Sequence, residues 1–156
     1  MSVYLRNATR KHRLATRRIE RSLRAMLEAL GRPTATVSVS FVGDAAMRRL
    51  NRAHRGRDRT TDVLSFPLYE PFRVPKRGPR GVPEVLLGDI VVSVDVAVRQ
   101  AAAYGATLEA EIERLLVHGL LHLLGHDHEA PHERARMERA ERRLFTAIGL
   151  RWPYPR

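Results

Sequence analysis

The sequence predicts one domain of the α+β (mixed α/β) class, in which helices pack against a small mixed β-sheet. Three observations predict this class. The 156 residues are enough for a single domain, residues 1–156, and no internal repeat divides them. A hydrophobic fraction of 44% and a charged fraction of 29% are typical of a globular chain and exclude a disordered one. Strand-like segments occur before residue 93, and helical spacing dominates the remainder.

The first half of the chain contains three strand signals and two helix signals. Residues 37–41 alternate between apolar and serine side chains, which is the period of a half-buried strand. Leucine and isoleucine recur at helical spacing over 14–30, and Gly31 with Pro33 ends that helix. Asp44 is placed to cap a short second helix. The other two strands are expected at 3–5, on an edge of the sheet, and at 63–66, where Pro67 stops the strand.

The second half begins with a long loop and a central strand. Residues 70–84 are rich in proline and basic side chains, which indicates a surface loop. The nearly continuous apolar run at 86–92 is typical of a strand covered on both faces. Residues 115–124 are apolar on almost every side, so their helix should be buried. Capping and helix-breaking residues predict three helices in this half of the chain. These helices run from Ser93 to residue 103, from Thr107 to Gly125 and from Pro131 to residue 148.

Charge is the main compositional clue to a partner. Lysine and arginine number 28 against 17 acidic residues, which gives a net charge of +11 and an isoelectric point near 11.3. This surplus concentrates polyanions around the molecule, so nucleic acid is the first candidate partner and an anionic membrane surface the second. No apolar run approaches the ~20 residues of a membrane span. The absence of cysteine excludes disulfide scaffolds, thiolate metal sites and cysteine nucleophiles.

A cluster of histidines lies at the end of the predicted buried helix. His118 and His122 are four residues apart, so their side chains lie about 40° apart around the axis and one turn apart along it. Gly125 can take a left-handed conformation and turn the chain back, which brings His128 within reach of the same ion. Three neutral imidazoles with an open fourth position are typical of a catalytic zinc site. The alternative, unrelated core histidines, is disfavoured because burying several unpaired imidazoles is costly.

The histidine spacing also matches the zinc-protease pattern H-E-x-x-H-x-x-G-x-x-H, so the segment is a zinc-protease-like metal-binding helix. The second position of that pattern is Gly119 here, where a peptidase has the glutamate that acts as general base. A metallopeptidase is therefore disfavoured, while the metal site is retained.

Three separated motifs, at 50–67, 87–90 and 118–128, closely resemble those of the YbeY family of metal-dependent endoribonucleases of ribosomal RNA maturation. The resemblance spans nearly the whole chain. It implies a compact fold with a small mixed sheet, one zinc ion per chain held by the histidine trio, and a catalytic role for Arg55. It further implies single-stranded ribosomal RNA as substrate, in 3′-end maturation of the small-subunit RNA. Ribosome quality control, the ribosomal small subunit and its assembly factors are the implied cellular context, with no membrane partner.

Several neighbouring residues are candidates for supporting roles. Asp127 either orients a ligand imidazole or is a solvated loop carboxylate. His126 stands where the family usually has tyrosine or phenylalanine, and it could compete as a ligand, reach the open metal position or line the groove. Candidate RNA contacts, with solvated loop charges as the alternative, are Arg52, Arg57, Arg59, Lys76 and Arg77.

The function expected from these features is zinc-dependent endoribonuclease activity on single-stranded RNA. A metal-stabilised RNA-binding ribosome assembly factor with little cleavage activity is the alternative, and a metallopeptidase the third class. Residues 2–19 contain six basic side chains and no acidic one, as mitochondrial transit peptides do. Their predicted helix continues to residue 30 without a break, which favours the bacterial cytoplasm over the mitochondrial matrix.

Overall fold

The computed structural model describes residues 2–82 and 84–151. Within these residues, the strands are β1 (Ser2–Asn7), β2 (Ala35–Val42), β3 (Val63–Pro67) and β4 (Val85–Ser93). The helices are α1 (Thr16–Ala29), α2 (Asp44–Arg55), α3 (Val94–Tyr104), α4 (Leu108–Leu124) and α5 (Pro131–Ala147). The predicted elements are present in the predicted order. None of these helices has the length and apolar character needed to cross a membrane.

The strands form one mixed sheet in the order β1-β2-β4-β3. β1, β2 and β4 run parallel, and β3 pairs antiparallel with β4. β4 is therefore interior and β1 lies at an edge, which confirms both predictions and the α+β class. Coverage of β4 is less complete than predicted, because Leu86 and Asp89 are exposed on its outer face. The helix on that face, α2, packs only near the carboxyl end of the strand, at Val91.

Alternate side chains of the sheet enter two apolar clusters. The larger cluster joins Val39 and Ile90 to the buried faces of α1, α4 and α5. The smaller one joins Val42 and Val91 to Met47 of α2. Because successive strand side chains point to opposite faces, α2 covers the face opposite to α4.

The start of α2 differs from the prediction. Gly43 is the residue before the helix, and the Asp44 side chain does not cap it. The backbone N–H of Asp44 instead donates to Oδ2 of Asp95, 2.8 Å away in the first turn of α3. The carboxylate of Asp44 accepts hydrogen bonds from Arg99, and this pairing lowers the pKa of Asp44. The prediction was wrong because a carboxylate 51 residues away caps the helix.

The sequence of α4 accounts for its start and for its close approach to the sheet. The hydroxyl of Thr107 accepts a hydrogen bond from the N–H of Ala110 at 3.1 Å, which confirms the predicted cap. Gly119 is buried against β4, and a Cβ atom there would lie 3.0 Å from Cγ2 of Ile90. A larger residue at this position would therefore require Ile90 to shift by a few tenths of an ångström. Glycine allows α4 to pack directly on the central strand.

Candidate metal centre

The last two turns of α4 place His118 and His122 side by side. Both side chains are partly buried, and their ring centroids are 4.7 Å apart with the rings inclined at 70°. This is the arrangement that a spacing of four residues gives on a helix. The helix thus presents two imidazoles to the same side of the molecule.

Gly125 ends α4 in a left-handed conformation with φ +117°. The N–H of His126 donates to the carbonyl of Leu121 at 3.0 Å, so the chain turns back over the last turn of the helix. A Cβ atom at position 125 would lie 2.7 Å from the Cα atom of Pro71, in the loop between β3 and β4. Glycine is therefore required both by the turn and by the loop that packs against it.

The turn at Gly125 brings His128 back to the helix histidines. Nδ1 of His128 lies 3.1 Å from Nε2 of His122, and its ring centroid is 5.4 Å from that of His118. Each of the three residues offers a ring nitrogen, and these three nitrogens lie within 4.8 Å of one another. Three nitrogen donors at this separation fit a single divalent cation, and imidazole is a preferred ligand of zinc.

The environment of His122 keeps its imidazole neutral. Burial, together with the neighbouring rings of His118 and His128, lowers the pKa of His122 from 6.5 to about 4. A metal ligand must have its nitrogen lone pair free of a proton. At neutral pH His122 meets that condition, so the donor chemistry of the trio suits a metal ion.

The lowered pKa of His122 predicts a pH dependence for the metal-free protein. The unfolded chain takes up this proton near pH 6.5 and the folded chain only near pH 4. Between these values the unfolded state binds more protons, so the free energy of unfolding falls as the pH falls from 6.5 to 4. We expect His122→Gln to lose less stability over this window than the unmodified chain. Urea unfolding of both metal-free proteins at pH 7, 5.5 and 4 measures the difference, and equal losses would contradict it.

A cavity of about 640 Å³ opens in front of the histidine trio. Arg55, the last residue of α2, and Arg57 also line this cavity, together with residues of β3. Within residues 2–82 and 84–151, no side chain makes a hydrogen bond or ion pair with the guanidinium of Arg55. The cavity therefore combines three nitrogen donors with an arginine that has no direct ion-pair partner among the described residues. Of the predicted RNA contacts it includes only Arg57, whereas the following are exposed and do not line it: Arg52, Arg59, Lys76 and Arg77.

Asp127 and His126 also line the cavity but contact different partners. Oδ1 of Asp127 accepts a hydrogen bond from the backbone N–H of His128 at 2.7 Å, and it lies 4.0 Å from Nδ1 of the same residue. The ring of His126 packs edge-on against Phe72, with centroids 5.2 Å apart. His126 is not one of the three residues whose nitrogens converge.

A buried carboxylate beside the trio has no counterpart in the sequence predictions. Glu141 of α5 is 8% exposed, and its Oε1 lies 3.3 Å from Nδ1 of His118. Because a carboxylate only accepts, His118 donates from Nδ1 and keeps the lone pair on Nε2. The sequence signal that could have identified Glu141 is its spacing, because it lies on the same face of α5 as the buried Met137 and Leu144.

Known proteins resemble this chain over most of its length. Residues 4–149 match the protein family described as Endoribonuclease YbeY. A protein of that name from Anaeromyxobacter sp. (strain Fw109-5) is 48% identical over 150 residues, which cover 96% of this chain and 73% of the relative. The Myxococcus xanthus protein of the same name is 50% identical over 127 residues, 81% of this chain and 41% of the relative. The Geobacter sulfurreducens protein is 38% identical, over 95% of this chain and 96% of the relative.

A solved structure shares the fold. The solution structure of TM1509 from Thermotoga maritima matches with a TM-score of 0.58 and covers 92% of this chain and 89% of its own. Its sequence identity is 23%, so this likeness concerns the fold alone. The residues matched by the family and by the curated relatives include the ends of α2 and α4 that line the cavity. The chain therefore belongs to the endoribonuclease YbeY family.

Proposed function

We propose that this chain is a zinc-dependent endoribonuclease that cleaves single-stranded regions of ribosomal RNA. The observation that carries the proposal is that three converging imidazoles and the guanidinium of Arg55 line the same cavity. A chain of net charge +11 attracts a polyanionic substrate to that cavity. Membership of a family described as endoribonucleases supports hydrolysis of RNA phosphodiester bonds.

In this proposal His118, His122 and His128 hold one zinc ion per chain. When bound, the ion supplies Lewis acidity at the cavity. Arg55 binds the phosphodiester within the same cavity, because its planar fork matches two phosphate oxygens. Its guanidinium stabilises the negative charge that grows on the phosphate as the bond to the leaving oxygen breaks. Asp127 holds the backbone at His128 in place through its hydrogen bond to that N–H.

The basic residues around the cavity extend the proposed RNA path. Arg57 lies within the cavity, where it can contact the phosphate next to the scissile one. The exposed cations outside it, Arg52, Arg59, Lys76 and Arg77, would bind flanking phosphates, which adds affinity without base specificity. The proposal also includes a cellular role, namely maturation of the 3′ end of small-subunit RNA and ribosome quality control. It places the protein in the bacterial cytoplasm, in contact with the small subunit and its assembly factors.

The test is RNA cleavage by the purified protein, with ribosomal RNA fragments that contain single-stranded and paired regions. We expect cleavage in the single-stranded regions, loss of cleavage after chelation, and recovery when one equivalent of zinc is added. Binding without cleavage at full zinc loading would instead support the RNA-binding assembly factor, which shares the basic surface. A peptidase is disfavoured because Gly119 stands at the position where the zinc-protease pattern has its glutamate general base.

Glu141 provides a prediction about the strength of the metal site. Its carboxylate fixes the ring of His118, so Glu141→Leu should weaken zinc binding roughly 10- to 100-fold. Glu141→Gln should weaken zinc binding less, because the amide oxygen still accepts from Nδ1. Competition with a chromogenic chelator measures both affinities. Glu138→Leu, at an exposed position of the same helix, is the control. A folded Glu141→Leu protein with unchanged zinc affinity would contradict this role.

A further inference from the structure

We propose that Phe72, together with Arg136 and His126, forms a stacking site for one RNA base at the rim of the cavity. The inference rests on the proposed function, because it assigns a base-binding site to the same RNA substrate. It concerns residues that neither hold the metal nor contact the scissile phosphate.

The loop that carries Phe72 is fixed against the end of α4. The backbone N–H of Phe72 donates to the carbonyl of Leu124, the last residue of that helix, at 3.0 Å. Pro71 before it and Gly125 beside it both line the cavity. The loop is therefore held at the end of α4, beside the cavity, by backbone contacts.

Folding alone does not account for a phenylalanine at this position. Phe72 has φ +59°, and among the described residues it is the single non-glycine residue with a positive φ. A bulky side chain is strained in this region of conformational space. The residue is nevertheless 53% exposed, so only part of its apolar surface is buried in return. Strain combined with exposure points to a role in binding.

The neighbours of Phe72 match the chemistry of a nucleotide. The guanidinium carbon of Arg136, on α5, lies 4.3 Å from the centroid of the phenyl ring. The imidazole of His126 meets the same ring edge-on at 5.2 Å. Single-stranded RNA is bound by aromatic and guanidinium planes that stack on bases, while cations hold the adjacent phosphates. An exposed aromatic ring with a guanidinium over one face, at the rim of the cavity that Arg55 and Arg57 line, fits an unpaired base and its phosphate.

The first test compares the binding of two RNA 12-mers of equal charge. One carries bases throughout, and the other lacks the bases of its central three nucleotides. Both are measured by fluorescence anisotropy with the zinc-loaded Arg55→Ala protein, in which cleavage is expected to be about 10²- to 10³-fold slower. We expect Phe72→Ala to weaken binding of the complete RNA about 5- to 100-fold, the range for loss of one stacked base. We expect little change for the RNA that lacks central bases.

Substitutions at the same position separate stacking from packing. Phe72→Leu keeps apolar bulk without an aromatic face, so it should bind as weakly as Phe72→Ala, whereas Phe72→Tyr should restore binding. Tyr104→Ala removes an exposed ring that does not line the cavity and serves as the control. Equal weakening for both RNAs would overturn the proposal, as would unchanged binding in Phe72→Ala and Phe72→Leu.

A spectroscopic readout tests for the stacked base directly. Trp152 is the one tryptophan in the sequence, so Phe72→Trp in a Trp152→Phe background places a single fluorophore at the rim. The complete RNA should quench its emission, and the RNA without central bases should not. Quenching by both RNAs, or by neither, would overturn the inference. Failure of the nuclease proposal is distinguishable, because it appears as absent cleavage by the unmodified protein.

Discussion

The substitution His122→Ala should remove both the bound zinc and RNA cleavage. We expect about one zinc per chain in the unmodified protein and less than about a tenth of that in the variant, since a catalytic zinc site depends on three protein ligands. Cleavage should fall on the order of a thousandfold or more, because Lewis-acid stabilisation contributes several kcal/mol. His122 occupies the middle of the trio, with one neighbouring ring centroid at 4.7 Å and the other at 5.1 Å.

Metal analysis after dialysis, together with cleavage of a single-stranded RNA, measures both effects. His132→Ala is the matched control, because His132 is an exposed histidine of α5 that lies outside the trio. It should retain zinc and activity. A folded His122→Ala protein that keeps both zinc and cleavage would contradict the proposed ligand set.

The substitution Arg55→Ala should reduce cleavage while leaving the metal in place. We expect a fall of about 10²- to 10³-fold in the rate of cleavage, the usual effect of losing one group that stabilises transition-state charge. Zinc content should not change, because Arg55 lies on α2 and no hydrogen bond among the described residues joins it to the histidines. Arg55→Lys should recover part of the activity, since it restores the charge without the planar fork.

Single-turnover cleavage with the protein in saturating excess over the RNA separates this effect from binding. Arg49→Ala is the control, because Arg49 is exposed on the same helix and does not line the cavity. Arg49→Ala loses the same positive charge outside the cavity, so it should cleave the bound RNA at close to the unmodified rate. Cleavage by Arg55→Ala at the unmodified rate would contradict the assigned role, and so would loss of zinc from that variant.

Local sequence rules predicted the parts of the site that are close in the chain. The spacing of His118 and His122 fixed their relative direction on α4, and the left-handed glycine at 125 accounted for the return of His128. These features depend on helix geometry within a few residues, which a sequence displays directly. The catalytic role of Arg55 was predicted only from the family resemblance. Because α2 and α4 cover opposite faces of the sheet, sequence periodicity did not indicate that Arg55 lies near the histidines.

Contacts between segments that are distant in the chain could not be predicted from the sequence. The cap of α2 comes from Asp95 rather than from Asp44, and the carboxylate beside His118 comes from Glu141, which is 23 residues away. Phe72 reaches the end of α4 because its loop folds across Gly125. Each of these depends on how packed elements meet in three dimensions, and single-sequence periodicity carries no such information.

Zinc-edge anomalous diffraction from crystals of the zinc-loaded protein would locate the metal ion on the chain. We expect one anomalous peak per chain, with a nitrogen atom of His118, His122 and His128 each about 2.0–2.1 Å from it. A peak elsewhere on the chain, or full zinc loading with any of these three rings turned away from the ion, would contradict it.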